Sequence, residues 1–282
     1  MSENNNWNSQ AERPELEGRL QYHIRCRPGD VAETVLLPGD PDRVPKMSEL
    51  WDESREIAAY REHVTHTGKI RGMDISACST GAGGGSTASA LEELAEVGAK
   101  KFIRVGTTSA IQPHIRPGDL IISSGAVRYD GTSENYVNLN YPAIADYEVV
   151  AALVEACERL DFTYHVGITA TAASFFCGQN RPGFGGYRQS WFEDRYQDLR
   201  AANVVNYEME AATVLTLSSL FKIKAGAIFA VIGNRVTDEF VYGGVEKSIA
   251  AATEAAIILN EWDQLKKANN KTYWHPSLGK DK

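Results

Sequence analysis

The sequence is poor in the features that mark disulfide-stapled, membrane-spanning or nucleic-acid-coating proteins. Only 4 cysteines occur in 282 residues. Cys26, Cys78, Cys157 and Cys177 show no CxxC spacing, which excludes a disulfide scaffold and predicts a reducing, cytoplasmic setting. No run of about 18 apolar residues is present, so no membrane helix is expected. The opening stretch MSENNNWNSQAERPELEG has neither a basic n-region nor an apolar core, and no secretory signal is read there. Basic residues number 29 against 37 acidic ones, a net charge of −8. That balance argues against a general nucleic-acid or membrane surface, while leaving room for a local cationic pocket.

What remains is the composition of an ordinary globule, 43% hydrophobic and 23% charged. Residues 1–19 are polar and Asn-rich and are expected to be disordered or loosely docked. Residues 20–265 contain no linker and read as one domain, followed by a polar tail over 266–282 in which Tyr273 and Trp274 have room to dock. Short β-rich runs (33–37, 73–79, 101–106, 119–127, 164–172, 203–207, 224–234) alternate with helical patterns (86–98, 146–160, 188–201, 208–222, 244–262). This alternation predicts a single-domain α/β fold of three layers, α/β/α, with a mixed central sheet. Ligands of such sheets collect at the carboxyl ends of strands, so the segments that follow strands carry the information.

The stretch LLPGDPDRV (36–44) turns through Gly39, where backbone can approach an anion, and offers Arg43 as a fork of donors; an ordinary turn has the same composition. STGAGGGSTASALEEL (79–94) joins a strand to a helix through glycines. It lacks the lysine of a P-loop, the acid of a dinucleotide fold and the G-x-S-x-G spacing of a serine hydrolase around Ser86. In FIRVGTTSAIQ (102–112), Arg104 lies in a strand of buried residue types and needs an anion there. That anion is either a ligand, with Thr107, Thr108 and Ser109 adding donors, or an internal carboxylate. TATAASFFCGQNR (169–181) sets Phe175 and Phe176 before Gln179 and Arg181, suited to stacking a flat heterocycle and reading its edge, or to a core aromatic followed by a polar loop. VVNYEMEAATVL (204–215) holds Glu208 and Glu210 around Met209. The two acids fit a first helical turn, or one of them fits the vicinal diol of a ribose. His63 and His66 would face opposite sides of a strand and make no convincing metal site. Together these residues describe sites for phosphate, ribose and base.

The order of the motifs LPGDPDRV, REH, CSTGAGGGS, IRVGTTSAIQPHI-PGD, FFCGQNR, NYEMEAATVL and IGNR, spread from His23 to residue 262, resembles the nucleoside phosphorylase-I superfamily, and within it the uridine phosphorylases. The resemblance implies phosphorolysis of a pyrimidine nucleoside, with inorganic phosphate as nucleophile and no required cofactor. It implies phosphate on Gly39, Arg43, Arg104 and Thr107, with Arg61 arriving from a neighbouring subunit. Ribose falls to Met209 and Glu210, with Glu208 nearby and His23 of the neighbour. The base falls to Phe175, Gln179 and Arg181, bounded by Thr108, Ser109, Ile232 and Arg235. Arg104, Arg181 and Glu210 would carry catalysis. A monovalent cation, potassium, would sit between subunits at Glu62, Ala82 and Ser86, in a homohexamer built from three dimers.

Two departures bear on specificity. Ser109 replaces a glycine that usually follows the two threonines, and Cys177 stands where a proline often sits. Asn234 and Arg235 fill the slot in which purine phosphorylases place an aspartate, although Asp238 lies three residues on. The rival readings are a purine nucleoside phosphorylase or nucleosidase of the same superfamily, a serine hydrolase using Ser86, and a non-catalytic nucleoside-binding module.

Overall fold

The computed structural model describes residues 11–279. The chain opens with β1 (Glu15–Leu16) and β2 (Leu20–Gln21), followed by β3 (Thr34–Pro38), α1 (Arg43–Ser48), β4 (Glu53–Tyr60) and β5 (His63–Ile70). Next come β6 (Met73–Cys78), α2 (Gly84–Glu96), β7 (Lys101–Ala110), β8 (Leu120–Tyr129), β9 (Ala143–Ile144), α3 (Tyr147–Arg159) and β10 (Tyr164–Ala172). The last third contains α4 (Trp191–Ala201), β11 (Val204–Glu208), α5 (Ala211–Phe221), β12 (Lys224–Asn234), β13 (Glu239–Phe240) and α6 (Val245–Ala268).

Strands β3 to β13 join one mixed sheet of 11 strands. Its centre curls closed. β7 runs parallel to β12, β12 antiparallel to β8, β8 parallel to β10 and β10 parallel to β11. β11 then returns antiparallel to β7 through the Tyr207–Ser109 register. From β7 the wing β3, β6, β5 and β4 extends outward to an edge. The mixed three-layer α/β fold agrees with the sequence-based expectation; the closure of its centre is an addition to it.

Period-two alternation distributes side chains to two apolar layers. Leu36, Ile103 and Val105 pack with Val44 and Met47 of α1, Val149 and Leu153 of α3, and the long apolar face of α6. Val35, Leu37 and Phe102 pack with Leu91 and Leu94 of α2 and Leu215 of α5. Arg104 falls on the Phe102 face by the same alternation, so the strand aims a guanidinium where a core residue would otherwise go.

Several expected boundaries move. β7 continues to Ala110, past the expected end at 106, so Thr107, Thr108 and Ser109 belong to the strand. The helix expected from 208 begins at Ala211, because β11 runs through Glu208. The hairpin of β4 and β5 escaped the pattern reading, since ESREIAAY is largely exposed and only weakly alternating. The expected disordered segment 1–19 falls partly outside the described residues; within them, Glu15–Leu16 pairs with Leu20–Gln21.

The C-terminal segment is docked. α6 runs to Ala268, three residues past the expected domain end at 265. Beyond it, Trp274 stacks on Trp262 with ring centroids 3.8 Å apart and planes 14° from parallel. The Trp274 N–H donates to Glu148 Oε1 at 3.1 Å, and the Tyr147 hydroxyl donates to the Trp274 carbonyl at 2.9 Å. Glu148 is buried and also accepts from Lys224 and Lys266. Burial alone would raise its pKa, but the two ammonium groups outweigh burial and hold it below 4.5. The sign follows from linkage. Both folded and unfolded chains carry this charge above about 4.5, where the pairing contributes fully, and the contribution is lost as pH falls through the depressed folded value. Glu148→Ala should leave Lys224, partly exposed, without this partner and Lys266 with Asp263 alone, and cost about 3 kcal/mol. Chemical denaturation should show that loss at pH 7 and a shallower decline of stability below about pH 4.5 in the variant; equal acid slopes would contradict it.

Candidate active site

The carboxyl ends of β3, β7, β11 and β12 open onto one cavity of about 440 Å³. Its walls include Gly39, Arg43, Arg104, Thr107, Met209 and Glu210 at one end, and Ser109, Phe175, Gln179 and Ile232 at the other. Two guanidinium nitrogens here, Arg43 Nε and Arg104 Nη1, are buried and have no hydrogen-bond partner. Among the described residues, Arg43 has only Asp40 as a distant ion partner, at 3.8 Å. A Cβ added to Gly39 would lie 3.3 Å from the Gly81 carbonyl and 3.8 Å from Arg104 Nη1, so the glycine permits a close approach of two loops beside the unpartnered nitrogen. Unpaired buried donors of positive charge are costly, and a bound anion is the usual remedy. The donors fit phosphate.

Glu208 and Glu210 divide the remaining donors of Arg104. Arg104 Nε donates to Glu208 Oε2 at 3.1 Å, and Nη2 donates to Glu210 Oε2. Glu208 further accepts from the Thr171 hydroxyl at 2.6 Å and from the N–H groups of Glu210 and Ala211 at 2.8 and 3.0 Å. Its oxygens are thus committed to fastening Arg104 and the N-terminus of α5. Glu210 has one further partner, the Gly83 N–H at 2.5 Å, and retains acceptor capacity toward the cavity. Burial pushes the Glu210 carboxyl above 4.5; Arg104 opposes that shift and the charge of Glu208 adds to it. Burial acts against the charge of Arg104 too, but Glu210 and Glu208 prevail and raise its pKa. Both sequence readings of Arg104 therefore meet in one residue. Two of its nitrogens have internal carboxylates, and the third has none.

The other end of the cavity is aromatic and polar. Phe175 is 47% exposed, which leaves a ring face available for stacking. Arg181 is not itself among the cavity walls; its guanidinium lies 4.4 Å from the Phe175 centroid and donates from Nη2 to Oγ of the wall residue Ser109 at 3.0 Å. Two expected base contacts are otherwise engaged. Thr108 lines the cavity, but its hydroxyl donates to the Tyr207 carbonyl at 2.6 Å and accepts from Asn206 at 2.7 Å. Arg235 is not among the cavity walls; it donates to the carbonyls of Gln179 and Asn180 and holds the loop from behind. Asn234 is likewise spent, donating to the carbonyls of Gln112 and Ile115 at 2.9 and 2.6 Å. Asp238 is exposed and outside the cavity walls.

Comparison with known proteins fits this geometry. A model of the phosphorylase superfamily matches residues 33–260. The chain belongs to the phosphorylase superfamily. It is 56% identical over 268 residues to a uridine phosphorylase of Thermococcus kodakarensis, covering 95% of this chain and 97% of the relative. It is 41% identical over 221 residues to the uridine phosphorylase of Escherichia coli, covering 77% and 87%. A guanosine phosphorylase of Halorubrum lacusprofundi is 38% identical over 216 residues, covering 77% and 84%.

Some residues assigned by resemblance to this superfamily lie apart from the cavity. Arg61 is exposed at the turn between β4 and β5 and donates to the Tyr22 hydroxyl at 3.2 Å. His23 is held through Nδ1 by Glu93 at 2.8 Å and lines a separate cavity. Glu62 and Ala82, by contrast, line the main cavity, and Ser86 Oγ lies 2.8 Å from Glu62 Oε1 and also contacts the Thr80 carbonyl. Gly81 between them has φ +72°, and a Cβ there would meet Ser86 Oγ at 2.6 Å. Among the described residues no imidazole bonds to Ser86, whose hydroxyl faces Glu62 and the Thr80 carbonyl, so the Ser–His pair of a serine hydrolase is not formed there. Tyr207, Gly106 and Gly81 also line the cavity and were not candidates. Tyr207 is an alternating strand position whose hydroxyl, pushed up to about 12 by burial, anchors Asn180.

The two carboxylates should separate by mutation. Ionised Glu210 is disfavoured by burial, so its contribution to stability is complete below the unfolded pKa and is lost as pH rises through the raised folded value. Glu210→Gln removes one of the two charges paired with buried Arg104 and should melt below the parent at pH 7, by less than Glu208→Gln because burial already disfavours the ionised form of Glu210. Glu208→Gln should melt lower by roughly 5 °C, since it weakens several charge-assisted bonds at once. Equal melting temperatures for the two variants would contradict this division.

Proposed function

We propose that the chain catalyses phosphorolysis of uridine to uracil and ribose 1-phosphate. One observation carries the reading: buried, unpartnered nitrogens of Arg43 and Arg104 share a cavity with Glu210 and the exposed face of Phe175. Two relatives named uridine phosphorylase, at 56% and 41% identity, supply the choice of nucleoside.

Phosphate is the nucleophile, held by Gly39, Arg43, Arg104 and Thr107 against C1′ of the ribose. Fixing it there turns a bimolecular encounter into an oriented one. Met209 packs on the sugar, and Glu210 accepts from its hydroxyls, restraining the ring as it flattens toward an oxocarbenium ion. The C1′–N1 bond breaks and its electron pair leaves with the base, while a phosphate oxygen bonds to C1′. Arg181 and Gln179 stabilise the charge that develops on the uracil carbonyls. The base then takes a proton from solvent. No covalent enzyme intermediate is required, and Glu208 acts through Arg104 and the backbone of α5.

The assembly and the cation belong to the same proposal. Arg61 and His23 complete the site when supplied by a partner subunit, within a hexamer of three dimers. Glu62, Ser86 and the backbone at Ala82 offer oxygen donors only, a set that suits a hard monovalent cation such as potassium. Glu62 remains charged for that role, because hydrogen bonds from its own backbone and from Ser86 hold its carboxyl below 4.5. Among the described residues, no group of three or more His, Cys, Asp or Glu is arranged for a metal ion. No helix of the described residues is long and apolar enough to cross a membrane.

The relative named guanosine phosphorylase favours a purine reading at 38% identity. The engagement of Asn234 with two carbonyls speaks against protonation of a purine from that position. Release of uracil, thymine, adenine and hypoxanthine from their nucleosides, with and without phosphate, separates the readings. Uracil release that requires phosphate is expected; phosphate-independent release would indicate a nucleosidase, and release of purines alone would overturn the uridine assignment. Arg104→Ala should lower kcat/KM at least about a thousandfold, because it removes a charged donor and leaves two buried carboxylates unpaired.

A further inference from the structure

We propose that Ser109 is a positioning residue that holds the Arg181 guanidinium against the departing base; the inference rests on the phosphorolytic reading above. Ser109 lies near the end of β7, in register with Tyr207 of β11 and Gly233 of β12, and half-buried in the cavity wall. A Cβ added to Gly233 would come within 3.7 Å of Ser109 Oγ, so the neighbouring strand leaves space around the hydroxyl.

Arg181 has little else to keep it there. Burial and the like charge of Arg235 both disfavour its cationic form. Its Nε is buried without a hydrogen-bond partner, and among the described residues no carboxylate forms an ion pair with either Arg181 or Arg235. The ring of Phe175, 4.4 Å away, offers attraction without a fixed direction in the plane. Ser109 Oγ is the hydrogen-bond acceptor that orients the guanidinium. A hydroxyl suits this task because it accepts without a full charge. A carboxylate in its place would neutralise the arginine and weaken its pull on the base. In the reaction, the electron pair of the C1′–N1 bond moves onto the base as phosphate bonds to C1′, and a fixed guanidinium is worth most at that moment.

The test compares uridine with 5-fluorouridine, whose more acidic base leaves with less help. Ser109→Ala should lower kcat for uridine about tenfold and for 5-fluorouridine about threefold or less. Comparing both substrates in one preparation makes the ratio independent of the folded fraction. Arg181→Ala should shift the ratio in the same direction, and the double variant should be no more than about twofold slower than Arg181→Ala alone. An unchanged ratio in Ser109→Ala, or losses that multiply in the double variant, would overturn the role of Ser109 while leaving the phosphorolytic reading intact. A parent enzyme that cleaves neither nucleoside would overturn both.

Discussion

Arg104 is a cation inside a strand of Phe102, Ile103 and Val105, and its charge organises everything around it. A guanidinium in such a place is sustained only by anions, and here Glu208 and Glu210 supply two. They stand one residue apart because the strand ends between them. Glu208 closes β11 and caps the first N–H groups of α5, while Glu210 sits at the start of the helix and reaches Gly83 on the loop before α2. One ion cluster thereby ties together β7, β11, α5 and the glycine-rich loop. The arginine's third nitrogen has no partner among the described residues, and it is there that we propose the fold meets its substrate.

The closed centre of the sheet explains how segments far apart in sequence come to one place. β3 and β12 run parallel to β7, so the loops after them gather around its carboxyl end, while antiparallel β11 pairs there at Ser109 and Ala110 and runs back along β7 toward Arg104. The arginines proposed to hold phosphate lie on the β3 and β7 side, the carboxylate proposed for the sugar follows β11, and the aromatic face is on the loop after β10. The same closure carries a polar thread of Ser123, Thr169, Asn206 and Thr108 across four strands, which accounts for the engagement of Thr108 in the framework. Burial disfavours the ionised form of Glu210, and the adjacent Arg104 opposes that effect.

Much of this was legible in the sequence. Alternation in KFIRVG marked both the strand and the oddity of Arg104, and the glycine turns after strands marked the loops that approach one another. The cavity gathers Gly39, Arg43, Thr107, Phe175, Gln179 and Glu210 from segments read separately. What was hidden depends on partners that no local pattern shows. Arg235 resembles a pocket residue by position, yet two loop carbonyls claim it. Glu208 and Glu210 look equivalent until their hydrogen-bond partners are known. The β4–β5 hairpin was missed because an exposed edge needs no apolar face, whereas of the two tail aromatics with room to dock, Trp274 stacks on Trp262 and Tyr273 stays exposed.

The most direct measurement is a crystal structure of the protein with inorganic phosphate and a non-reactive uridine analogue. Phosphate should accept hydrogen bonds from Arg104 Nη1 and Arg43 Nε beside Gly39, with Glu210 on the ribose hydroxyls and the base over Phe175. Phosphate bound away from Arg104, or Glu210 left facing only Arg104 and Gly83, would contradict the central role given to that arginine.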